Sequence, residues 1–176
     1  PLRVGDDART VADLVEFEKR SCRSGEDNSF RLIGLARYLQ SDETWQNDLG
    51  ETWSIERLVE EELARPTQAE PAGGTFRLLA LSYATDRRMK REESIDGQFE
   101  RAKKHLDEFA QFALDVQNPD GTWHPEFFAF QGNAGDTVAQ LRSTGHILRW
   151  LVFRLSDEQL RDPRVVRGVT RLTQLL

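Results

Sequence analysis

Apolar positions recur every three or four residues along most of the chain, a pattern that is typical of amphipathic helices. The pattern is clearest between Ile95 and Val116, where one helical face carries Phe99, Ala102, Leu106, Phe109, Ala113 and Val116. Another apolar stripe follows Asp162-Pro163, an N-cap with proline at the first helical position, and predicts a helix over 163–176. The same periodicity predicts helices over about 7–22, 29–40, 53–65, 74–86 and 138–155. Strand-like alternation is nearly absent, so the predicted fold class is all-α.

Three segments share a residue pattern, which indicates an internal repeat. They are SFRLIGLARYL at 29–39, TFRLLALSYAT at 75–85 and GHILRWLVFRL at 145–155. Each is apolar around most of its circumference and is followed by a more amphipathic helix, at 53–65, 95–117 and 163–176 respectively. This alternation predicts a layered array of inner and outer helices. We expect a single domain over 1–176, with an N-terminal helical extension at 1–25 and three helical hairpins at 26–176.

The stretch QNPDGTW, at 117–123, follows the second outer helix. Its central Asn-Pro-Asp-Gly is strong turn chemistry, because proline fixes one dihedral and glycine tolerates positive φ. A glutamine amide at a helix end can bond nearby backbone groups, and a tryptophan ring can pack against it. We predict a structural clamp made by Gln117, Asp120, Gly121 and Trp123. A similar stretch, QNDLGETW at 46–53, follows an inner helix, and we interpret it as a coincidence.

The Gln-to-Trp spacing resembles the Gln-Trp motif of squalene and oxidosqualene cyclases and of the wider prenyltransferase/squalene-oxidase repeat family. The segment TGHILRWLVFRLSDEQLRDPRVV is also similar to uncharacterised bacterial members of that family. The resemblance covers residues 29–176 and implies a terpenoid cyclase-like α/α toroid in which the motif clamps successive hairpins. Three hairpins are about half of the six in a complete toroid. The resemblance thus implies a partial, half toroid, which could be a fragment or one partner of an assembly such as a homo-oligomer.

Several catalytic signatures of toroid proteins have no counterpart in the chain. There is no Asp-x-Asp-Asp run of the kind that cyclases use to protonate an alkene, and no Cys-Gly-Glu-Gln run of a thioester domain. The zinc ligands of protein prenyltransferases include a cysteine, but Cys22 lies before the first repeat without a neighbouring ligand motif. The 3 histidines include no pair at i, i+4. We therefore expect no metal site and no cofactor, and whether the chain is an enzyme stays open.

The composition of the chain disfavours some classes of binding partner. The net charge of −6 disfavours nucleic acid, and the basic run at 87–91 is interpreted as a solvated connector. No stretch of about 18 apolar residues is present to span a membrane, and the charged fraction is typical of a soluble chain. A lone cysteine leaves the compartment open, and because the sequence begins at Pro1, an export signal or anchor could lie upstream. Localisation is therefore not predicted.

The repeat register places several polar residues near the beginnings of the inner helices, where helix N-termini favour an anionic group. They are Arg31, Arg77, Thr75 and His146, with Ser29 and Thr144 in the same register. The arginines can grip a carboxylate or phosphate, and the histidine can act as an acid or base. The alternative is structural: the hydroxyls cap helices, the arginines pair with acids of outer helices, and the histidine is buried and hydrogen-bonded.

His124 and Glu126 lie in the aromatic loop WHPEFF, which can stack a sugar or an apolar ligand, or simply pack over the next hairpin. The acidic run at 60–62 is interpreted as the solvent-facing side of its helix. The leading hypothesis is a domain that binds a small molecule or a protein partner on a concave face. The alternative is a degenerate or incomplete toroid-class enzyme that acts on an isoprenoid or a polysaccharide.

Overall fold

A computed structural model describes residues 2–4, 7–66, 71–132 and 136–176 and confirms the all-α class. The helices are α1 (Val11–Arg20), α2 (Ser29–Tyr38), α3 (Ile55–Ala64), α4 (Thr75–Lys90), α5 (Gly97–Asp115), α6 (Thr137–Arg154) and α7 (Pro163–Leu175). Short 3-10 turns at Pro71–Gly74 and Gln159–Arg161 precede α4 and α7. Within these described ranges, no helix is both long and apolar enough to cross a lipid bilayer.

Two small antiparallel hairpins were not expected from the sequence. Strand β1 (Leu2–Val4) pairs with β2 (Asp7–Arg9), and β3 (Thr44–Gln46) pairs with β4 (Thr52–Ser54). Each strand is 3 residues long. Strands this short carry too few positions to display the alternation by which a half-buried strand is recognised.

The structure divides into two compact units. Unit 1 comprises Pro1–Arg65 and Tyr83–Ala102, and unit 2 comprises Pro66–Ser82 and Lys103–Leu176. Helices α4 and α5 each contribute residues to both units. Helix α4 continues to Lys90, so most of the basic run at 87–91 forms its last turn instead of a connector. Basic side chains are favourable there because they complement the negative end of the helix dipole.

In unit 1, α1 packs against α2 and α2 packs against α3. Helix α1 begins with a capping box in which Thr10 and Asp13 each accept a hydrogen bond from the other's backbone N–H. The core of the unit is apolar and includes the fully buried Leu32, Leu35, Trp53, Leu58 and Val59. Helix α1, in contrast, has no buried residue. Its apolar positions therefore lie along a surface of the unit.

The acidic run at 60–62 does not lie wholly on a solvent-facing side. Glu62 is fully buried and accepts hydrogen bonds from the Asn28 backbone N–H, at 2.8 Å, and from the Ser29 hydroxyl, at 2.9 Å. These two donors lie at the beginning of α2, where backbone N–H groups lack partners within the helix. The carboxylate of α3 thus caps the preceding helix, α2, which corrects our interpretation of this position.

The core of unit 2 is rich in aromatic rings. Phe109 meets Phe128 edge-on, with ring centroids 4.9 Å apart, and Trp150 packs against both. The Trp150 indole N–H donates to the Ser82 hydroxyl at 3.1 Å, so its one polar atom is satisfied in the core. Helix α7 packs along α6 and buries Val165.

Candidate functional site

The predicted clamp joins the end of α5 to the beginning of α7. The Gln117 amide donates hydrogen bonds to the backbone carbonyls of Gly121, at 3.1 Å, and of Arg164, at 3.0 Å. Trp123 is fully buried, and its indole N–H donates to the carbonyl of Ala113 in the last turn of α5 at 2.6 Å. These bonds satisfy carbonyl groups in α5, in α7 and in the turn that follows α5.

Asp120 stabilises the turn itself. One carboxylate oxygen accepts from the backbone N–H of Thr122 at 3.0 Å and from its hydroxyl at 2.7 Å. Burial opposes ionisation of Asp120, but these hydrogen bonds and the nearby charge of Arg171 outweigh it and lower the pKa of the carboxyl. Asp120 is therefore ionised at neutral pH and acts as a hydrogen-bond acceptor.

The turn in QNDLGETW has the same two backbone hydrogen bonds as the turn of the clamp. The Asn47 N–H donates to the Glu51 carbonyl at 3.0 Å, and the Gly50 N–H donates to the Asn47 carbonyl at 3.1 Å. In the clamp turn, the Asn118 N–H donates to the Thr122 carbonyl and the Gly121 N–H donates to the Asn118 carbonyl, both at 2.9 Å. The glycine has positive φ in each turn, +77° at Gly50 and +93° at Gly121. The two stretches therefore share the backbone hydrogen bonds of the turn.

Two of the predicted ligand-binding residues are buried in unit 2. Thr75 is 1% exposed, and its hydroxyl donates to the Ala72 carbonyl at 3.0 Å. Arg77 is 2% exposed, and its guanidinium donates to the Pro66 carbonyl at 3.1 Å. Both side chains donate to backbone carbonyl groups of the segment that leads into α4.

The aromatic loop lies against the beginning of α4. A methyl group added at Gly73 would lie 2.4 Å from the Phe127 Cβ, so the two segments touch. His124 is 4% exposed, packs on Phe130 at 4.4 Å between ring centroids, and accepts the Glu126 backbone N–H at its Nδ1 atom. The Glu126 side chain is exposed. The structure brings the two predicted residues together through the backbone of the loop, without pairing their side chains.

His146 lies in the middle of α6. The repeat register put it near the beginning of an inner helix, but Asp136 caps α6 and the helix starts at Thr137, more than two turns earlier. The imidazole lies edge-on to Phe76, at 5.3 Å between ring centroids, and 6.1 Å from Phe127. The histidine is therefore part of a half-buried aromatic cluster.

We predict that the His146 imidazole titrates below its ordinary pKa of 6.5. Burial is the main cause, and the charges of Arg149 and Arg142 add to it. The folded state favours the neutral ring. The contribution of His146 to stability is therefore present at pH values above its ordinary pKa and is lost as the pH falls through its lowered pKa in the folded protein. An NMR titration of the imidazole measures this directly, with Arg149→Gln expected to move the pKa upward. A pKa at or above the ordinary value would contradict the prediction.

Arg31 belongs to unit 1, where it lies beside a groove that the sequence did not reveal. Its guanidinium forms an ion pair with Glu18 at 3.1 Å and also donates to the Asn28 side chain. The groove between α1 and α2 has a cavity volume of about 580 Å³. Its lining is mostly apolar: Val11, Leu14, Val15, Phe30, Gly34, Leu35 and Tyr38, with Glu18, Asp27 and Arg31 as the charged members. The exposed phenylalanine and tyrosine of α2 were the one sequence signal for it.

The part of the chain that the structure describes offers few side chains suited to metal binding or nucleophilic catalysis. No group of three or more histidine, cysteine, aspartate or glutamate side chains is placed to hold a metal ion within residues 2–4, 7–66, 71–132 and 136–176. Cys22 is buried, and burial raises the pKa of its thiol. A buried thiol with a raised pKa is a poor nucleophile.

Comparison of the chain with protein-family models, with curated proteins and with solved structures gave no match.

Proposed function

We propose that this protein is a binding module whose α1–α2 groove holds a basic amphipathic helix of a partner protein. The observation that carries the proposal is the groove itself, an apolar channel between a ridge of exposed side chains on α1 and another on α2. Val11, Leu14, Phe30 and Tyr38 are between 43% and 65% exposed. Apolar side chains that cluster at a surface in this way are typical of interaction sites.

The ridges have the dimensions of a helix-binding groove. On α2, Phe30, Gly34 and Tyr38 follow one another at intervals of four residues, which spans about 12 Å at the helical rise. A partner helix that contacts a groove through residues i, i+4 and i+7 covers about 10 Å, so the lengths correspond. Gly34 lies between the two aromatic side chains, and an added Cβ there would meet no atom within 4 Å. It leaves a notch for one anchoring side chain.

The charge of the groove selects the partner. The lining carries two carboxylates, Glu18 and Asp27, and one guanidinium, Arg31. Asp13, exposed on α1, adds negative charge along the same helix, whereas Glu16 is paired with Lys19 at 3.0 Å. A helix with lysine or arginine beside its apolar face would therefore be attracted, and an acidic one repelled.

A matched pair of helical peptides tests this choice. Both peptides carry leucines at i, i+4 and i+7, and they differ only in having lysine or glutamate at the remaining exposed positions. In amide NMR titrations at low salt, we expect the lysine peptide to shift the resonances of 11–18 and 30–38 saturably, with a Kd of about 100 μM or lower. Equal shifts from both peptides, or shifts confined to other parts of the chain, would overturn the proposal.

Gly34 provides a variant that separates binding from folding. Because Gly34 lies in the interior of α2 and has open space beside it, Gly34→Ala should raise the free energy of unfolding by about 1 kcal/mol. Gly34→Leu should fill the notch and raise the Kd of the lysine peptide at least about tenfold while the chain stays folded. Ala12→Leu places the same side chain on exposed α1 outside the lining, and we expect it to leave the Kd unchanged. If both leucine variants weakened binding equally, the notch would have no role.

We further propose that the chain belongs to the toroid class that the Gln-Trp motif suggests. The bonds of Gln117 and Trp123 between α5, the turn and α7 support this assignment, as does the packing of apolar α6 against amphipathic α7. The enzymatic alternative, on an isoprenoid or a polysaccharide, needs paired carboxylates or one desolvated acid in a cleft. The fully buried acid Glu62 is instead bonded to the beginning of α2. Binding is therefore the function that we assign.

A further inference from the structure

One face of α6 in unit 2 carries three basic side chains. Arg142, His146 and Arg149 are spaced by four and three residues, which places them on the same side of the helix. Both arginine charges lower the pKa of His146, so both guanidinium groups lie within electrostatic range of the imidazole. The three groups form one cationic surface in a chain whose net charge is −6.

Within the described residues, the two arginines have no acidic partner, unlike Arg154 and Arg164. Elsewhere in unit 2, Arg154 pairs with Asp107, and Arg164 pairs with Asp162 at 2.8 Å. Among the described residues, Arg142 and Arg149 form no ion pair, and both are exposed. The Arg149 guanidinium instead lies 5.0 Å from the centre of the Phe76 ring. Stacking on a ring orients a guanidinium while its N–H groups stay available at the edge.

The aromatic rings hold the imidazole in place. Phe76 and Phe127 contact His146 from α4 and from the aromatic loop. Within the described residues, neither imidazole nitrogen has a hydrogen-bond partner, and the ring is only half-buried. A neutral imidazole offers one N–H donor, and here it lies within electrostatic range of both guanidinium groups.

We infer that the Arg142–His146–Arg149 face of α6 binds a phosphoryl group. Two guanidinium forks and an imidazole N–H match the several oxygens and the double negative charge of a phosphate better than the two oxygens of a carboxylate. The binding also supplies the counter-charge that the protein itself does not provide to these arginines. The site belongs to unit 2 and is independent of the α1–α2 groove proposed above.

Inorganic phosphate is the first probe. It is titrated at constant ionic strength, with chloride as the replacement, while the imidazole resonances of His146 are followed by NMR. We expect a saturable shift with a Kd of about 1 mM or lower, and an increase in Kd of at least about tenfold in Arg142→Gln and in Arg149→Gln. Arg161→Gln is the matched control, because Arg161 is exposed and also lacks an ion pair within the described residues. Loss of binding in all three variants would show a general charge effect and overturn the site.

Titrations with three further ligands show which chemical group the site recognises. Methyl phosphate and phenyl phosphate distinguish free phosphate from a phosphorylated aromatic compound, because only the latter can also contact the Phe76 and Phe127 rings. Tighter binding of phenyl phosphate would assign an organic phosphate, and equal binding would assign the phosphoryl group alone. Acetate should cause no saturable shift; an acetate Kd equal to that of phosphate would overturn the phosphoryl assignment. Arg142→Lys, which keeps the charge, should recover part of the affinity that Arg142→Gln loses.

Discussion

Replacing Trp123 with alanine is expected to lower the free energy of unfolding by about 3 kcal/mol or more. The ring is fully buried, and removing it leaves a cavity beside α7, since Gly168 comes close enough that an added Cβ would lie 3.1 Å from the indole. The substitution also leaves the Ala113 carbonyl without the indole N–H that it accepts at 2.6 Å. Urea denaturation followed by far-UV circular dichroism measures the loss.

Trp123→Phe separates the two parts of this effect. Phenylalanine keeps most of the ring in place but cannot donate to Ala113, so the loss should fall to about 1–2 kcal/mol. Gln117→Ala should cost a similar amount, because the amide bonds two buried or half-buried carbonyl groups. A loss below about 1 kcal/mol for Trp123→Ala would contradict the role of this residue as the centre of the clamp.

The helices that could be predicted from the sequence are those with local signals. Helix α7 was placed by Asp162-Pro163, and the side chain of Asp162 indeed accepts the Arg164 N–H at 2.8 Å. Helix α5 was placed by a long stripe at steps of three and four, and its buried side includes Phe99, Ala102 and Leu106. Caps and stripes depend on residues a few positions apart, which is why they can be read without a structure.

Features that depend on distant residues were not predictable in the same way. The division into two units passes through α4 and α5, whereas domain boundaries are usually recognised by exposed linkers between elements. The α1–α2 groove is also invisible in the pattern. Apolar residues at 11, 14 and 30 look like core positions, since periodicity identifies an apolar face but not whether another element covers it.

The candidate site residues show the same limit. Aligning the repeats related His146 to Phe76, but it did not indicate that His146 contacts the Phe76 ring itself, nor that Phe127 and arginines on its own helix complete its surroundings. Arg77 was a reasonable ligand by residue type, yet it is buried and bonded to a backbone carbonyl. Residue type indicates what a side chain can bind, and only its burial and neighbours indicate what it does bind.

Glu62→Ala is the second large effect that we expect, a loss of about 3 kcal/mol in the free energy of unfolding. The carboxylate is fully buried and accepts hydrogen bonds from Asn28 and Ser29 at the beginning of α2, with an Arg65 guanidinium nitrogen at 4.0 Å. Alanine would leave buried donors unsatisfied, a cost that exceeds the value of the bonds themselves. Glu60→Ala, an exposed change in the same helix, should cost less than about 0.5 kcal/mol in the same denaturation experiment.

Glu62→Gln shows whether geometry or charge carries this effect. The amide has the same shape: its oxygen can still accept from the Asn28 N–H, and its NH₂ group can donate to the Ser29 hydroxyl, which can also act as an acceptor, so both contacts can persist without the negative charge that strengthened them. We therefore expect a loss of about 1–2 kcal/mol, between those of the alanine variant and the Glu60 control. Equal losses of unfolding free energy in Glu62→Ala and Glu60→Ala would mean that the Glu62 carboxylate on α3 does not stabilise the beginning of α2. Because α2 forms one wall of the groove, Glu62→Ala should also weaken the binding of the lysine peptide. Glu60→Ala should leave the Kd of that peptide unchanged.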